Sequence, residues 1–202
     1  MNKPVSEALP NFDERVLDRM VLAVELVTQR LLRATKALES HGIPYAVAGG
    51  HAVAAWVAKV DPAAVRNTAD VDLLLMREDL ERAKTAMASA GFIYRHSRGI
   101  DMFLDGPEGR FREAVHILFA GEKVRQEDLL PVPMLAESTP GDRYQVVGLE
   151  ALVRMKLIAN RRKDQVHLSD MLELEMIDES WLAKYPPELA ARLQHLIDTP
   201  NG

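Results

Sequence analysis

The chain has 202 residues, no cysteine and a formal net charge of −5. That length fits one domain with an appended subdomain, or two small ones, and the missing cysteine excludes disulfides and thiolate metal sites. The acidic balance argues against a protein that coats nucleic acid. No apolar run is long enough to span a bilayer and Met1-Asn-Lys-Pro4 has no signal-peptide core, so a cytoplasmic protein without a membrane partner is expected.

Apolar positions Val16, Leu17, Met20, Val24, Leu31 and Leu38 recur at helical spacing and predict a helix over 13–40, stopped by His41-Gly42. A short strand is expected over 45–48, a helix over 51–59 and a loop over 60–69. A strand over 71–76 precedes a helix over 78–89 that Gly91 closes. Strands are expected over 92–96, 102–104 and 114–119, with a turn at 105–109. Residues 131–141 hold three prolines and read as a linker or surface loop. A strand over 144–147 leads into helices over 149–160, 164–176, 179–185 and 187–197. The fold class is therefore α/β (α+β): a mixed sheet with helices packed on it over residues 1–130, then a helical subdomain over 142–202.

Two stretches carry the chemistry. In Tyr45-Ala-Val-Ala-Gly-Gly-His51 a strand ends on Gly49-Gly50 and a helix begins, which lets backbone approach a phosphate at the positive end of a helix. In Arg66-Asn-Thr-Ala-Asp-Val-Asp72 the two carboxylates Asp70 and Asp72 share one face of a strand, while Val71 and Leu73 point to the other. The continuation Leu73-Leu74-Leu75 marks that strand as buried on both sides, where two acids are costly unless a cation or metal offsets them. Oxygen-only ligation favours magnesium or manganese, shared with the phosphates of a substrate.

A strand, Gly49-Gly50, a helix and then Arg66-x-Thr68-x-Asp70-Val-Asp72 resembles the nucleotidyltransferase superfamily with the polymerase-beta-like core. The 19 residues between Gly50 and Asp70 make it similar to the branch of AbiEii-like toxins of type IV toxin–antitoxin systems. The resemblance implies that Asp70 and Asp72 ligate Mg2+ or Mn2+ and act in catalysis. It also implies that Gly49 and Gly50 hold an NTP; Arg66 and Thr68 are expected in the same nucleotide-binding site, where they position the loop leading into the acidic strand. A third carboxylate is expected on a later strand, yet Ala114-Val-His-Ile-Leu-Phe119 places His116 there. His116 suits a manganese ligand or a base; it equally suits a sheet histidine in a site that has lost catalysis. Glu113 falls on the wrong strand face, and Asp101, on a neighbouring strand, is the alternative carboxylate.

The run Arg154-Met-Lys-Leu-Ile-Ala-Asn-Arg-Arg-Lys-Asp164 resembles the C-terminal motif of the same branch. This implies a triphosphate contact for Lys156 and a catalytic role for Asp164. Asp164, His167 and Asp170 fall at three-residue intervals on one helical face. Arg161 and Arg162 read as a solvated basic face. The expected function is transfer of a nucleoside monophosphate from an NTP to a hydroxyl on RNA (tRNA), protein or a small molecule, with an antitoxin as partner in a toxin-type enzyme. The rival readings are a catalytically impaired nucleotide- or protein-binding module and an aminoglycoside-type transferase, which needs an open acidic pocket.

Overall fold

A computed structural model describes residues 14–200, so Asp13, the first residue of the expected N-terminal helix, lies outside the described residues. Helix α1 spans Glu14–Ser40, β1 Tyr45–Ala48, α2 Gly49–Val57, β2 Val71–Leu75 and α3 Leu80–Ser89. The hairpin β3 (Phe92–Ser97) and β4 (Ile100–Asp105) and strand β5 (Val115–Phe119) follow. The chain continues with β6 (Ser138–Pro140), β7 (Gln145–Val147), α4 (Leu149–Ala159), α5 (Arg162–Glu173) and α6 (Pro187–Asp198).

Among the described residues, seven strands form one mixed sheet in the order β3-β4-β5-β2-β1-β7-β6. The centre is β2, antiparallel to β1 and parallel to β5, while β7 runs parallel to β1 on the far side. Alternation along the central strands builds two cores. Val71, Leu73 and Leu75 of β2 join Val47, Val115 and Ile117 on one face, under Leu31, Ala34 and Leu38 of α1 and Ala83, Ala86 and Met87 of α3. Ala46, Ala48 and Leu74 face the other way, into a core supplied by α2, α4, α5 and α6. Val71, Leu73, Leu74 and Leu75 are fully buried; each such side chain contributes about 1.5–3 kcal/mol, which pins the register of the acidic strand. The stripe of α1 is buried only in its second half, because Leu17, Met20 and Val24 remain exposed.

Three local differences from the sequence reading have physical causes. Strands β3 and β4 are longer than expected because they meet at Arg98-Gly99, both at positive φ (51° and 75°), as a tight two-residue hairpin requires. The proline-rich segment is not only a loop. Its end forms β6, an outer strand against β7, where Pro140 loses no interior ladder bond. Helix α2 starts directly on Gly49, with Ala48 as its N-cap and no side chain capping its first N–H groups.

Candidate active site

Antiparallel pairing sets Ala48, the last residue of β1, opposite Asp72, so the glycine turn lies over the acidic end of β2. Gly49 adopts φ +61°, and a Cβ added to it would stand 1.9 Å from Oδ2 of Asp72. A Cβ on Gly50 would stand 2.8 Å from Oγ1 of Thr68. Both glycines are thus required by the groups beneath them, and Gly49 also by its left-handed backbone. The uncapped start of α2, Asp70 and Asp72 are gathered at one mouth.

Parallel pairing of β2 with β5 puts His116 on the same rung as Asp72. Its Nδ1 lies 3.7 Å from Oδ1 of Asp72, at ion-pair rather than hydrogen-bond distance, and its Nε2 is buried without a partner among the described residues. The Asp72 carboxylate holds the His116 imidazole above its ordinary pKa, against burial, which pulls it down. His51, on the first turn of α2, shifts the other way: burial lowers it and the carboxylates of Asp72 and Asp70 only partly oppose that.

Among the described residues, no three His, Asp or Glu side chains converge into a ready-made metal cage. Asp70 and Asp72 are each about one-third exposed, at 34% and 27%. Two open carboxylates on one strand face fit a hard divalent cation that completes its shell with water and substrate phosphates. They do not fit a closed structural site.

The helical motif has a different character. Nζ of Lys156 on α4 donates to Oδ1 of Asp164 on α5 at 2.9 Å, and both side chains are buried, 6% and 1% exposed. Nε of Arg161 donates to the other oxygen of Asp164 at 2.7 Å. Burial pushes the Asp164 carboxyl up, but Arg161 and Lys156 outweigh it and hold it below the usual Asp value. Next to them Nδ1 of His167 is buried and unpartnered among the described residues, and burial lowers this imidazole to about 4.

Two cations stand at the mouth itself, Arg161, which the sequence reading ranked low, and Lys163, which it did not single out. Nζ of Lys163 is 3.5 Å from Oδ2 of Asp70, and its side chain is 56% exposed. Arg161 is half exposed and feels the charges of both Asp72 and Asp70. A signal for them existed. They sit at the N-terminal end of α5, where the helix dipole disfavours positive charge, so a negative counterpart outside the helix was to be expected.

Arg66 grips Asp170 of α5 with both arms, Nε at 2.5 Å and Nη2 at 2.8 Å, and so ties the loop before β2 to the C-terminal helices. Thr68 packs under Gly50. Asp101 pairs in register with Ile117, on the sheet face opposite His116, and accepts from Tyr94 Oη and His96 Nδ1. It therefore does not supply a third carboxylate beside Asp72. Glu113 lies in a turn near Arg30 and Arg110.

A mixed sheet with this glycine turn over paired carboxylates has the architecture of a nucleotidyltransferase. Residues 5–172 match the family described as "uncharacterised nucleotidyltransferase", and the chain belongs to that family. Among solved structures it is similar to an antigenic nucleotidyltransferase-like protein from Paracoccidioides brasiliensis (20% identity, 86% of this chain and 88% of that chain, TM-score 0.55). It is also similar to ANT(2")-Ia in complex with adenylyl-2"-tobramycin (14% identity, 86% and 99%, TM-score 0.53). At such identities these likenesses concern the fold. No curated protein matches the sequence. Among the described residues no helix is long and apolar enough to cross a membrane.

Proposed function

We propose that the protein transfers a nucleoside monophosphate from an NTP to an acceptor hydroxyl. The observation that carries this reading is the contact of Gly49 with Asp72, which joins an uncapped helix start to a carboxylate pair at one mouth. The acceptor oxygen forms a bond to the α-phosphorus, the bond from that phosphorus to the β-phosphate oxygen breaks, pyrophosphate leaves and the hydroxyl proton is lost to solvent. A magnesium or manganese ion held by Asp70 and Asp72 would neutralise charge that develops on the reacting oxygens. The N–H groups opening α2 receive the phosphates, with Gly49 and Gly50 admitting them closely, and Lys163 and Arg161 face the same charge from α5. Lys156 acts from behind, holding Asp164 and through it Arg161. His116, 3.7 Å from Asp72, would join it at the metal, where manganese suits its imidazole better than magnesium does.

A second reading has its own observation. With His116 rather than a carboxylate beside Asp72 and, among the described residues, no third acid converging on the pair, the fold also suits a module that binds a nucleotide or a protein without transfer. The toxin-type role, a tRNA acceptor and an antitoxin partner rest on the sequence resemblance to AbiEii-like proteins. One experiment separates the readings: each α-labelled NTP is incubated with the protein, Mg2+ or Mn2+, total RNA, protein and small molecules. Transfer that disappears in Asp72→Asn supports the enzyme; an NTP-induced rise in Tm without transfer leaves the binding module.

A further inference from the structure

The cleft of about 370 Å³ that begins at Asp70, Asp72 and His116 changes character along its length. Leu118 lies two residues beyond His116 on the same face of β5, about 7 Å further along the strand. From there the walls are Leu118, Leu130, Pro131, Met155 and Ile158. Leu118, Leu130, Met155 and Ile158 are only partly buried where they pack on the core beneath. Partly buried aliphatic side chains lining a concavity of this size are the usual floor of a small-molecule site.

The charges along this stretch are unevenly committed. Every carboxylate of the cleft beyond Asp70 and Asp72 already has protein donors. Glu122 is held by both arms of Arg77 at 2.5 and 2.6 Å, and Asp128 accepts from the backbone N–H of Arg125 at 2.9 Å. Asp164 is held by Lys156 and Arg161, and Asp101 by Tyr94 and His96. The side chains of Lys123 and Arg125 are exposed at the rim and form no ion pair among the described residues. A polycation seated there would meet two positive charges without ion-pair partners among the described residues, and beyond Asp70 and Asp72 only Asp128, which accepts a single backbone N–H, as a carboxylate not held by side-chain donors.

We propose that the acceptor is a small hydroxyl compound with an apolar body and no net positive charge, seated on Leu118, Leu130, Met155 and Ile158 with Lys123 and Arg125 at its rim. This rests on the transferase reading above. The new oxygen–phosphorus bond forms at the acceptor hydroxyl at the Asp72 end, pyrophosphate departs toward Lys163 and the proton is lost to solvent. The geometry favours this class over an aminoglycoside-type acceptor, which would need several unpaired acids, and over RNA, because the floor is aliphatic and Phe111, beside His116, is the one exposed aromatic side chain lining the cleft, too few for a run of stacked bases.

The test uses the full chain, each α-labelled NTP with Mg2+ or Mn2+, and five probes: benzyl alcohol, cyclohexylmethanol, hydroxymethylbenzoate, tobramycin and total tRNA. Label is expected on the first three, most on hydroxymethylbenzoate, and none on tobramycin. Met155→Gln should lower labelling several-fold while the NTP-induced rise in Tm stays at the wild-type value. Lys123→Glu, at the exposed rim, should lower labelling of hydroxymethylbenzoate several-fold more than that of benzyl alcohol, while the NTP-induced rise in Tm shows that the variant is folded. Preferred labelling of tobramycin or tRNA overturns the proposal, as does label on no probe when NTP still raises Tm. Loss of the NTP effect in Met155→Gln also overturns it, by assigning the apolar floor to the nucleobase. Absence of any NTP effect in the wild type is a distinct result that removes the transferase reading itself.

Discussion

The two acidic centres of this protein, Asp70–Asp72 at the start of β2 and Asp164 on α5, look alike in sequence and differ in nearly every physical respect. Asp70, one residue before β2, is 34% exposed and Asp72, within it, 27%; both line the cleft, and their neighbours are an imidazole at 3.7 Å and a lysine at 3.5 Å. Asp164 is 1% exposed and fully engaged by Lys156 and Arg161. A group meant to meet a cation and a substrate has to stay open and under-partnered. A group that holds two helices together has to be closed. On the proposed function, chemistry falls to the acidic end of β2 and scaffolding to the α4–α5 pair, with Arg161 as the link between them.

The sharpest way to break this contrast is to remove one acid from each centre. Asp72→Ala should abolish nucleotide transfer, measured by label from an α-labelled NTP, while Tm stays equal or rises because two like charges no longer face each other. Asp164→Ala should do the reverse to the fold: it strands the Lys156 ammonium in the interior, at a cost of about 3–5 kcal/mol. For a chain of this size, that lowers Tm by roughly 6–20 °C in a thermal melt. Equal Tm losses in the two variants would erase the distinction.

A smaller effect is expected where the two centres communicate. Arg66 is 57% exposed, so Arg66→Ala should cost at most about 1 kcal/mol of stability. The same change frees the loop that carries Asp70 from α5, and kcat should drop about 10–100-fold with little change in KM for the NTP. Arg66→Lys, which cannot grip Asp170 with two arms, should recover only part of this.

The smallest effect concerns His167. Its imidazole is held down at about 4 in the folded chain against an ordinary 6.5. As pH falls from 6.5 toward 4, the unfolded chain takes up the proton first, so stability is full above 6.5 and declines through that window. Denaturant titrations at pH 7 and 5 should show a smaller loss for His167→Gln than for the wild type. An equal loss would mean that this imidazole does not titrate differently in the two states.

Local periodicity made much of this visible in advance. Strands β1, β2 and β5 follow from alternation within a few residues and the glycine turn from its composition; Asp72 lies on the expected strand, while Asp70 stands one residue before it and lines the same cleft. What escaped depends on pairings far apart in the chain. The grip of Arg66 on Asp170 joins positions on a loop and a late helix, and Lys163 reaches Asp70 only once α5 has packed. Lys156 looked like a substrate contact because its lysine and the following basic run were legible, whereas its burial against Asp164 was not. Asp101 looked available because sequence gives the identity of a strand residue but not which face its register will choose. Strand β6 was hidden by prolines that an outer strand tolerates.

The fit of Gly49 over Asp72 has a consequence for descent. With 1.9 Å between a would-be Cβ and the carboxylate oxygen, the dependence runs one way: a lineage that keeps the acid must keep the glycine, while one that discards the acid loses the collision but still bears the strain of a side chain at φ +61°. An alanine or serine at the equivalent of residue 49 in a relative would then mark a branch whose acid has already gone, and the decay of an ancestral activity could be dated on a tree from that position alone.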